Sequence, residues 1–386
     1  MAITIRFVHC AGFQFDSRSW EGPACWIAMR NQDLWHTFEA VLTLCQKEKV
    51  DFLFVTGDLF DQENARKETV ERVYRSFSGL KDTRVFITPG DQDPLVISSA
   101  YRFAEWPGNV HIFAGGVSHI EIPAKGTVIY GSGWTNYRQE LIDLGMIQPV
   151  LHNAPIQVML LHAEIASPKN TDRFIPLEPE AITASGLTYL ALGHQQKFSG
   201  LHQIGDTFWA DCGSPEARSF QDSGPHGVLF GETDGKLTQV DFVELGGRNY
   251  IEKFWPQAAE PKEIASGLLA DTTKEERQRD LFRIVLSGPY PDPESTVQTL
   301  HQLLSEDFSY FEVYHTSQSG PALCADVNVI SIRRQTSGFP DLTEVFGREI
   351  QKRLSSENRP EEQRRWELVQ KIGLAAISQG REDYED

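Results

Sequence analysis

Residues 52–61 read Phe52-Leu53-Phe54-Val55-Thr56-Gly57-Asp58-Leu59-Phe60-Asp61. Four apolar residues and a threonine that run straight into Gly-Asp mark a short strand ending at a turn. Upstream, Leu34, Trp35, Phe38, Val41, Leu42 and Cys45 recur at helical spacing; downstream, Val70, Val73, Tyr74, Phe77 and Leu80 do the same. Further strand-like runs lie beyond these helices, at 3–8 and 85–88. Strand, helix, strand, helix, strand predicts an α/β layered domain, because each helix must lay its apolar stripe on a sheet. Short apolar runs continue at 127–130, 157–162, 188–192, 208–211, 227–231 and 238–245. Few helical patterns separate them, so the second half is expected to be more antiparallel.

Around Gly246-Gly247 the composition turns polar, and the stretch to about residue 280 reads as a connector. A strand at 281–286, a helix near 293–304 and a strand at 310–314 then make a small α+β unit. From 336 on, two helices are expected. The first carries Leu342, Val345, Phe346, Ile350 and Leu354; the second has Pro360 in its first turn and Trp366, Val369, Ile372 and Ile377 on its apolar face. The chain thus divides into 1–250, 251–335 and 336–386.

The whole has 386 residues, 40% hydrophobic and 23% charged, which excludes global disorder and low-complexity architecture. Its net charge is −18. Residues 1–250 hold 20 basic and 30 acidic side chains, and the remainder 16 and 24, so no basic domain exists to grip DNA by itself. The five cysteines are scattered and form no C-x-x-C pair, which speaks against a disulfide framework and a thiolate zinc site. No leader-like segment and no apolar run near the ~18 residues of a membrane span is present, so a cytoplasmic protein is expected.

Open α/β sheets place their sites where strand carboxyl ends meet. Five such ends carry acids or imidazoles: His9-Cys10-Ala11-Gly12-Phe13-Gln14-Phe15-Asp16, Gly57-Asp58-Leu59-Phe60-Asp61, Pro89-Gly90-Asp91-Gln92-Asp93, Leu160-Leu161-His162-Ala163-Glu164 and Leu192-Gly193-His194-Gln195-Gln196. Taken singly, Asp58 and Asp61 read as turn and helix-cap residues more than as ligands. His162 and His194 read as hydrogen-bonded interior histidines, and Asp91 as a cap or an ion-pair partner. Asp16, Asp61 and Asp93 read as structural, and His9 as a structural residue near the site.

In order, spacing and flanks the five motifs resemble the calcineurin-like metallophosphoesterases, and among them the SbcD-like DNA repair nucleases. That family shows D-x-H, G-D-x-x-D, G-N-H-D, a lone histidine after an apolar strand, and G-H-x-H. Cys212-Gly213-Ser214-Pro215 and Gly224-Pro225-His226-Gly227-Val228 resemble it too. The resemblance covers about residues 1–250 and implies a two-sheet β-sandwich flanked by helices. It also implies two divalent metals that share a bridging aspartate and activate a water, with a histidine that protonates the leaving group.

The departures are concentrated on one metal. Its positions fall on Gly12, Gln14, Asp58 and Gln196; glycine offers no ligand, and an amide is a poor substitute for imidazole or carboxylate. The other metal's positions fall on Asp58, Asp91, His162 and His194, a set suited to Mn, Fe or Zn. Gln92 stands where the family has its leaving-group histidine and cannot deliver a proton near pH 7. The expectation is one divalent ion or none, no second metal, and hydrolysis absent or strongly reduced. The alternative is an active mononuclear phosphodiesterase or exonuclease.

By the same resemblance the helical tail would meet the coiled-coil base of an SMC-like ATPase. Leu342, Phe346, Ile350, Trp366, Val369 and Ile372 offer the apolar contact. DNA would be reached mainly through that complex, with no membrane role; a homodimer is the remaining partner reading.

Overall fold

The structure, a computed structural model, describes residues 3–137, 142, 144, 154–166 and 176–316. The first sheet holds β1 (Ile5–Cys10), β2 (Phe52–Thr56), β3 (Arg84–Thr88) and β4 (Val110–Ile112) in parallel. On its other side β11 (Gly227–Thr233) and β12 (Thr238–Glu244) add antiparallel, giving the order β12-β11-β1-β2-β3-β4. The second sheet comprises β5 (Gly115–Ile122), β6 (Thr127–Gly133), β7 (Ile156–His162), β8 (Tyr189–Gly193), β9 (His202–Ile204) and β10 (Thr207–Asp211). Its order is β5-β6-β7-β8-β10-β9.

Side chains alternate faces along a strand, so one strand can serve two cores at once. Phe7 and Phe54 point into the apolar layer between the sheets, where they meet Phe52, Phe86, Ile129, Val158, Leu160 and Tyr189. Val8, Leu53 and Val55, their neighbours in sequence, point the other way. There they pack under Leu34, Phe38 and Val41 of α1 (Trp26–Lys47) and Val70, Val73 and Phe77 of α2 (Lys67–Ser78). The far face of the second sheet buries Val128, Tyr130, Met159, Leu161 and Leu190 with Ile182 of α3 (Pro179–Ser185). Each fully buried large side chain contributes about 1.5–3 kcal/mol, which is why the period-2 pattern of these strands is strict. The two-sheet α/β architecture expected from the resemblance is the one present.

Two expectations need correction. The expected antiparallel second half is found only in part: β5, β9, β11 and β12 pair antiparallel, but β6, β7, β8 and β10 run parallel. Among the described residues the crossover from β7 to β8 holds only the short α3, and β8 reaches β10 through a loop and the β9 edge, so little in the sequence announces the parallel pairing. The stretch from 246 to 280 is not a connector. It holds β13 (Tyr250–Trp255), α4 (Pro261–Ala270) and α5 (Lys274–Arg279). Only Tyr250 of β13 is fully buried, and α5 buries nothing, so both look polar in sequence. What starts the two helices is local chemistry: Pro261 opens α4, and Thr273 and Glu276 form a capping box at the N-terminus of α5.

β13 pairs in parallel with β14 (Leu281–Ser287), which pairs in parallel with β15 (Phe311–Thr316). Their core is Phe282, Ile284 and Leu286 against Ile264 and Leu268 of α4 and Val297, Leu300 and Leu304 of α6 (Pro293–Leu304). By packing, the described residues fall within one compact unit. The six tail residues Leu342, Phe346, Ile350, Trp366, Val369 and Ile372 lie outside the described residues. Among the described residues no helix is long and apolar enough to cross a membrane.

Candidate metal centre

The parallel strands of both sheets end on one edge, and the chemistry-bearing loops leave from there. Asp58 follows β2, Asp91 follows β3, His162 ends β7 and His194 follows β8. Close backbone approach is what lets these loops converge. Gly57 has φ +94°, and a Cβ there would sit 2.2 Å from His162 Nδ1. Gly193 abuts the Thr56 carbonyl, which a Cβ would meet at 2.2 Å.

Asp93 holds the two acidic loops together. Its carboxylate accepts backbone N–H bonds from Asp58 (3.1 Å), Leu59 (2.7 Å), Phe60 (3.2 Å) and Gly90 (2.6 Å), and a hydroxyl bond from Tyr101. His9 is buried between Tyr189 Oη (2.9 Å) and Thr56 Oγ1 (3.0 Å), and burial drives its pKa down to about 3, so it is neutral and structural. Asp16 pairs with Arg66 at the rim.

Asp91, His162 and His194 come together. His162 Nε2 lies 2.8 Å from Asp91 Oδ1 and 3.2 Å from His194 Nδ1, and that Nδ1 lies 3.8 Å from Asp91 Oδ1. A tetrahedral site with bonds of ~2.0–2.1 Å needs donor–donor edges of roughly 3.3 Å, so this triangle suits a divalent ion. His162 Nδ1 lies 3.0 Å from the Thr56 carbonyl, which turns its Nε2 toward the cluster. Asp58 stands beside the triangle, with Oδ1 3.7 Å from His162 Nε2; the same oxygen accepts the Gln92 backbone N–H at 3.0 Å.

The electrostatics follow from burying two carboxylates with one imidazole. Burial alone would lower the His162 pKa, but Asp58 and Asp91 outweigh it and hold it above the ordinary 6.5. Burial also opposes ionisation of Asp91, yet the His162 hydrogen bond and charge keep its pKa below the ordinary 3.8. At Asp58 burial wins and lifts the pKa, against the pull of His162. Burial, then the charge of His162, push His194 down to about 4, leaving it neutral and ready to ligate at neutral pH.

The other pole is poorer in donors. Gly12 brings no donor, and its φ of +68° closes a turn in which its N–H bonds the Gly57 carbonyl at 3.0 Å. Gln14 presents its amide nitrogen, not its oxygen, to Asp58 Oδ2 at 3.4 Å. Gln196 Oε1 is buried without a hydrogen-bond partner. Gln92 directs its side-chain N–H to Asp91 Oδ2 at 2.8 Å, which leaves Asp91 Oδ1 facing His162. Asp91, His162 and His194 would hold such an ion, which would supply positive charge and Lewis acidity there. The chain's own residues orient the donors through Thr56, Gln92 and Asp93. Near neutral pH, Gln92 can hydrogen-bond a leaving group but not protonate it.

Two residues that shape the site are not among the ligand positions the motifs mark. Glu164 Oε1 lies 3.1 Å from His194 Nε2. Asp211, at the end of β10, accepts the Gln195 N–H at 3.1 Å and the Gly213 N–H at 2.9 Å, and so steers the loop that carries His194. Only position in the fold marks them out, because an acid two residues after a strand is common.

No family model matches the chain. A curated relative does: the uncharacterized metallophosphoesterase YhaO of Bacillus subtilis is 24% identical over 333 residues, covering 79% of this chain and 78% of YhaO. Over most of its length the chain is thus similar to a metallophosphoesterase. Among solved structures, TT1561 of Thermus thermophilus is similar over 62% of this chain and 99% of its own, at 11% identity and a TM-score of 0.41. A dimetal phosphatase from Danio rerio is similar over 59% of this chain and 92% of its own, at 10% identity and a TM-score of 0.38.

Gly57→Ala is expected to cost about 1–3 kcal/mol, because it puts a Cβ at positive φ and into the His162 ring. Metal affinity should fall with it; thermal melts and metal titration check both. A second expectation concerns pH. His162 must shed its proton to ligate, and its raised pKa means the metal-free protein holds that proton through neutrality. Protons therefore compete with the ion, and affinity should rise roughly tenfold per pH unit through neutrality and level off near the His162 pKa of about 10. Metal titrations at three pH values give the slope; a flat profile would place the ion away from His162.

Proposed function

We propose that this chain is an SbcD-like phosphoesterase-fold subunit that holds one divalent ion, binds phosphodiesters and hydrolyses them weakly or not at all. The observation that carries the reading is the asymmetry of the site. Asp91, His162 and His194 make a donor triangle, while the opposite pole offers Gly12, an amide N–H from Gln14 and the lone oxygen of Gln196. With one ion the gain from gripping a phosphate on two metals is gone, and with Gln92 so is the proton for the leaving group.

In this reading the ligand is a DNA end and the partner an SMC-like coiled-coil ATPase, met through helices within 336–386. The resemblance supports both, and the charge of −18 agrees with a subunit that reaches DNA only with help. The protein would work in the cytoplasm.

The test is metal analysis of the full chain, then Mn²⁺-supplemented assays on bis(p-nitrophenyl)phosphate and linear DNA. One ion per chain with little turnover is the expected result. Robust turnover abolished by His194→Ala would instead establish an active mononuclear phosphodiesterase using Mn, Fe or Zn, a reading favoured by the intact donor triangle. Co-purification with a coiled-coil ATPase, lost on deleting 336–386, tests the partner; a stable homodimer that never captures one would remove it.

A further inference from the structure

His194 is the least anchored member of the triangle by strand geometry. It sits one residue past the end of β8, on a loop, with a fifth of its side chain exposed. A neutral imidazole carries one N–H, and the nitrogen without it is the one that can ligate. Which nitrogen that is depends on what the other one bonds. The Nδ1 of His194 faces His162 Nε2 at 3.2 Å and Asp91 Oδ1 at 3.8 Å. On the opposite side of the ring, Nε2 lies 3.1 Å from Glu164 Oε1.

We propose that Glu164 is the positioning residue of the centre: its carboxylate accepts the Nε2–H of His194 and so turns the Nδ1 lone pair onto the ion. The inference rests on the one-ion reading above and adds to it the group that sets ligand geometry. The two histidines are then held in opposite tautomers by different partners. His162 gives its Nδ1–H to the Thr56 carbonyl and ligates through Nε2. His194 gives its Nε2–H to Glu164 and ligates through Nδ1. Carboxylate–histidine–metal pairs of this kind raise the basicity of the ligand and fix its ring. The carboxylate here lies two residues beyond His162, so β7 and the turn after it supply one ligand and the support of the other.

The test uses the full chain with selectively ¹⁵N-labelled histidine, first without metal. The expected tautomer of His194 carries its proton on Nε2, and Glu164→Ala shifts it toward a mixture. With Mn²⁺ or Co²⁺ added, Glu164→Ala should weaken binding about 10–100-fold and alter the Co²⁺ visible spectrum. Glu164→Gln, whose amide oxygen still accepts the N–H, should recover most of the affinity. An unchanged tautomer, or equal affinities for wild type and Glu164→Ala, would overturn the proposal. A loss beyond a thousandfold that Gln does not rescue would overturn it too, by making Glu164 a direct ligand. A wild type that binds neither ion would defeat the one-ion reading, while the metal-free tautomer measurement would still decide the role of Glu164.

Discussion

His162→Ala is expected to reduce divalent-ion affinity by ~10²–10³-fold. Four-ligand protein sites bind zinc with ~10–16 kcal/mol, so one ligand carries roughly 3–4 kcal/mol. Each 1.4 kcal/mol is a factor of ten. His162 is the hub of the cluster: it touches Asp91 at 2.8 Å, His194 at 3.2 Å and Asp58 at 3.7 Å, and its ring is held from behind by Thr56. The metal-free protein should change as well. The imidazolium stands between two carboxylates in a site where its side chain is 1% exposed. Taking away the cation leaves Asp58 and Asp91 to repel each other, so Asp58 should take up a proton. Metal titration reads the first effect, and a thermal melt in chelator at pH 6 and pH 8 reads the second. The variant should be the less stable at pH 8, because deprotonated Asp58 then lacks its counter-charge. Wild-type affinity in His162→Ala would remove the donor triangle from consideration.

The front of the fold is legible because two simple periodicities decide it. Leu53, Phe54 and Val55 alternate between two buried layers, and Leu34, Phe38 and Val41 return every three to four residues onto one of them. β13 escapes the same reading since Glu252 and Lys253 interrupt it and only Tyr250 is fully buried. β4 and β9 are three residues long, too short for any pattern to show. Between β7 and β8 the described residues hold only the short α3, so the sequence there carries little sign of a parallel crossover.

The ligand triangle was readable in part, as acids and imidazoles at strand ends. What the chain order does not reveal is how the residues between them behave. Asp93, two positions from Asp91, ties the loops together through four backbone N–H groups and a tyrosine hydroxyl. Gln14 reads as a lost ligand; in space its amide donates to Asp58 and thereby partly replaces a cation that the carboxylate would otherwise face. Side-chain orientation of this sort depends on which loops are brought together, and spacing does not encode it.

Glu216→Ala is expected to destabilise the fold by about 3–5 kcal/mol. Arg30, on α1, is fully buried, and its Nη2 lies 2.7 Å from Glu216 Oε2, on the loop after β10. Glu216 also accepts from the Thr37 hydroxyl and from the Gly247 N–H at 3.0 Å, just before β13 begins. A second layer surrounds the pair: Asp33 bonds Arg30 at 2.9 Å and Arg248 at 2.8 Å. Removing the carboxylate leaves a buried guanidinium with only Asp33 to balance it, and an uncompensated buried charge is what makes such losses large. For a domain of this size roughly 2–4 °C of Tm is lost per kcal/mol, so a drop of about 6–20 °C is expected. The cost should come from breaking the pair, not from lacking it. Arg30→Met combined with Glu216→Leu leaves no stranded charge, so it should lose less than Glu216→Ala alone, and its coupling energy should be strongly favourable. Equal or additive losses in that double-mutant cycle would mean the two groups are held independently. The loop carrying Glu216 also carries Arg218, whose Nη2 donates to the Phe13 carbonyl at 2.6 Å in the turn between Gly12 and Gln14. Loosening the pair should therefore reach the metal-poor pole first and leave Asp91, His162 and His194, which are anchored from β3, β7 and β8, still able to take up their ion. Metal titration of Glu216→Ala below its lowered Tm checks this: affinity within about threefold of wild type is the expected outcome, and a parallel loss would tie the two ends of the site into one cooperative unit.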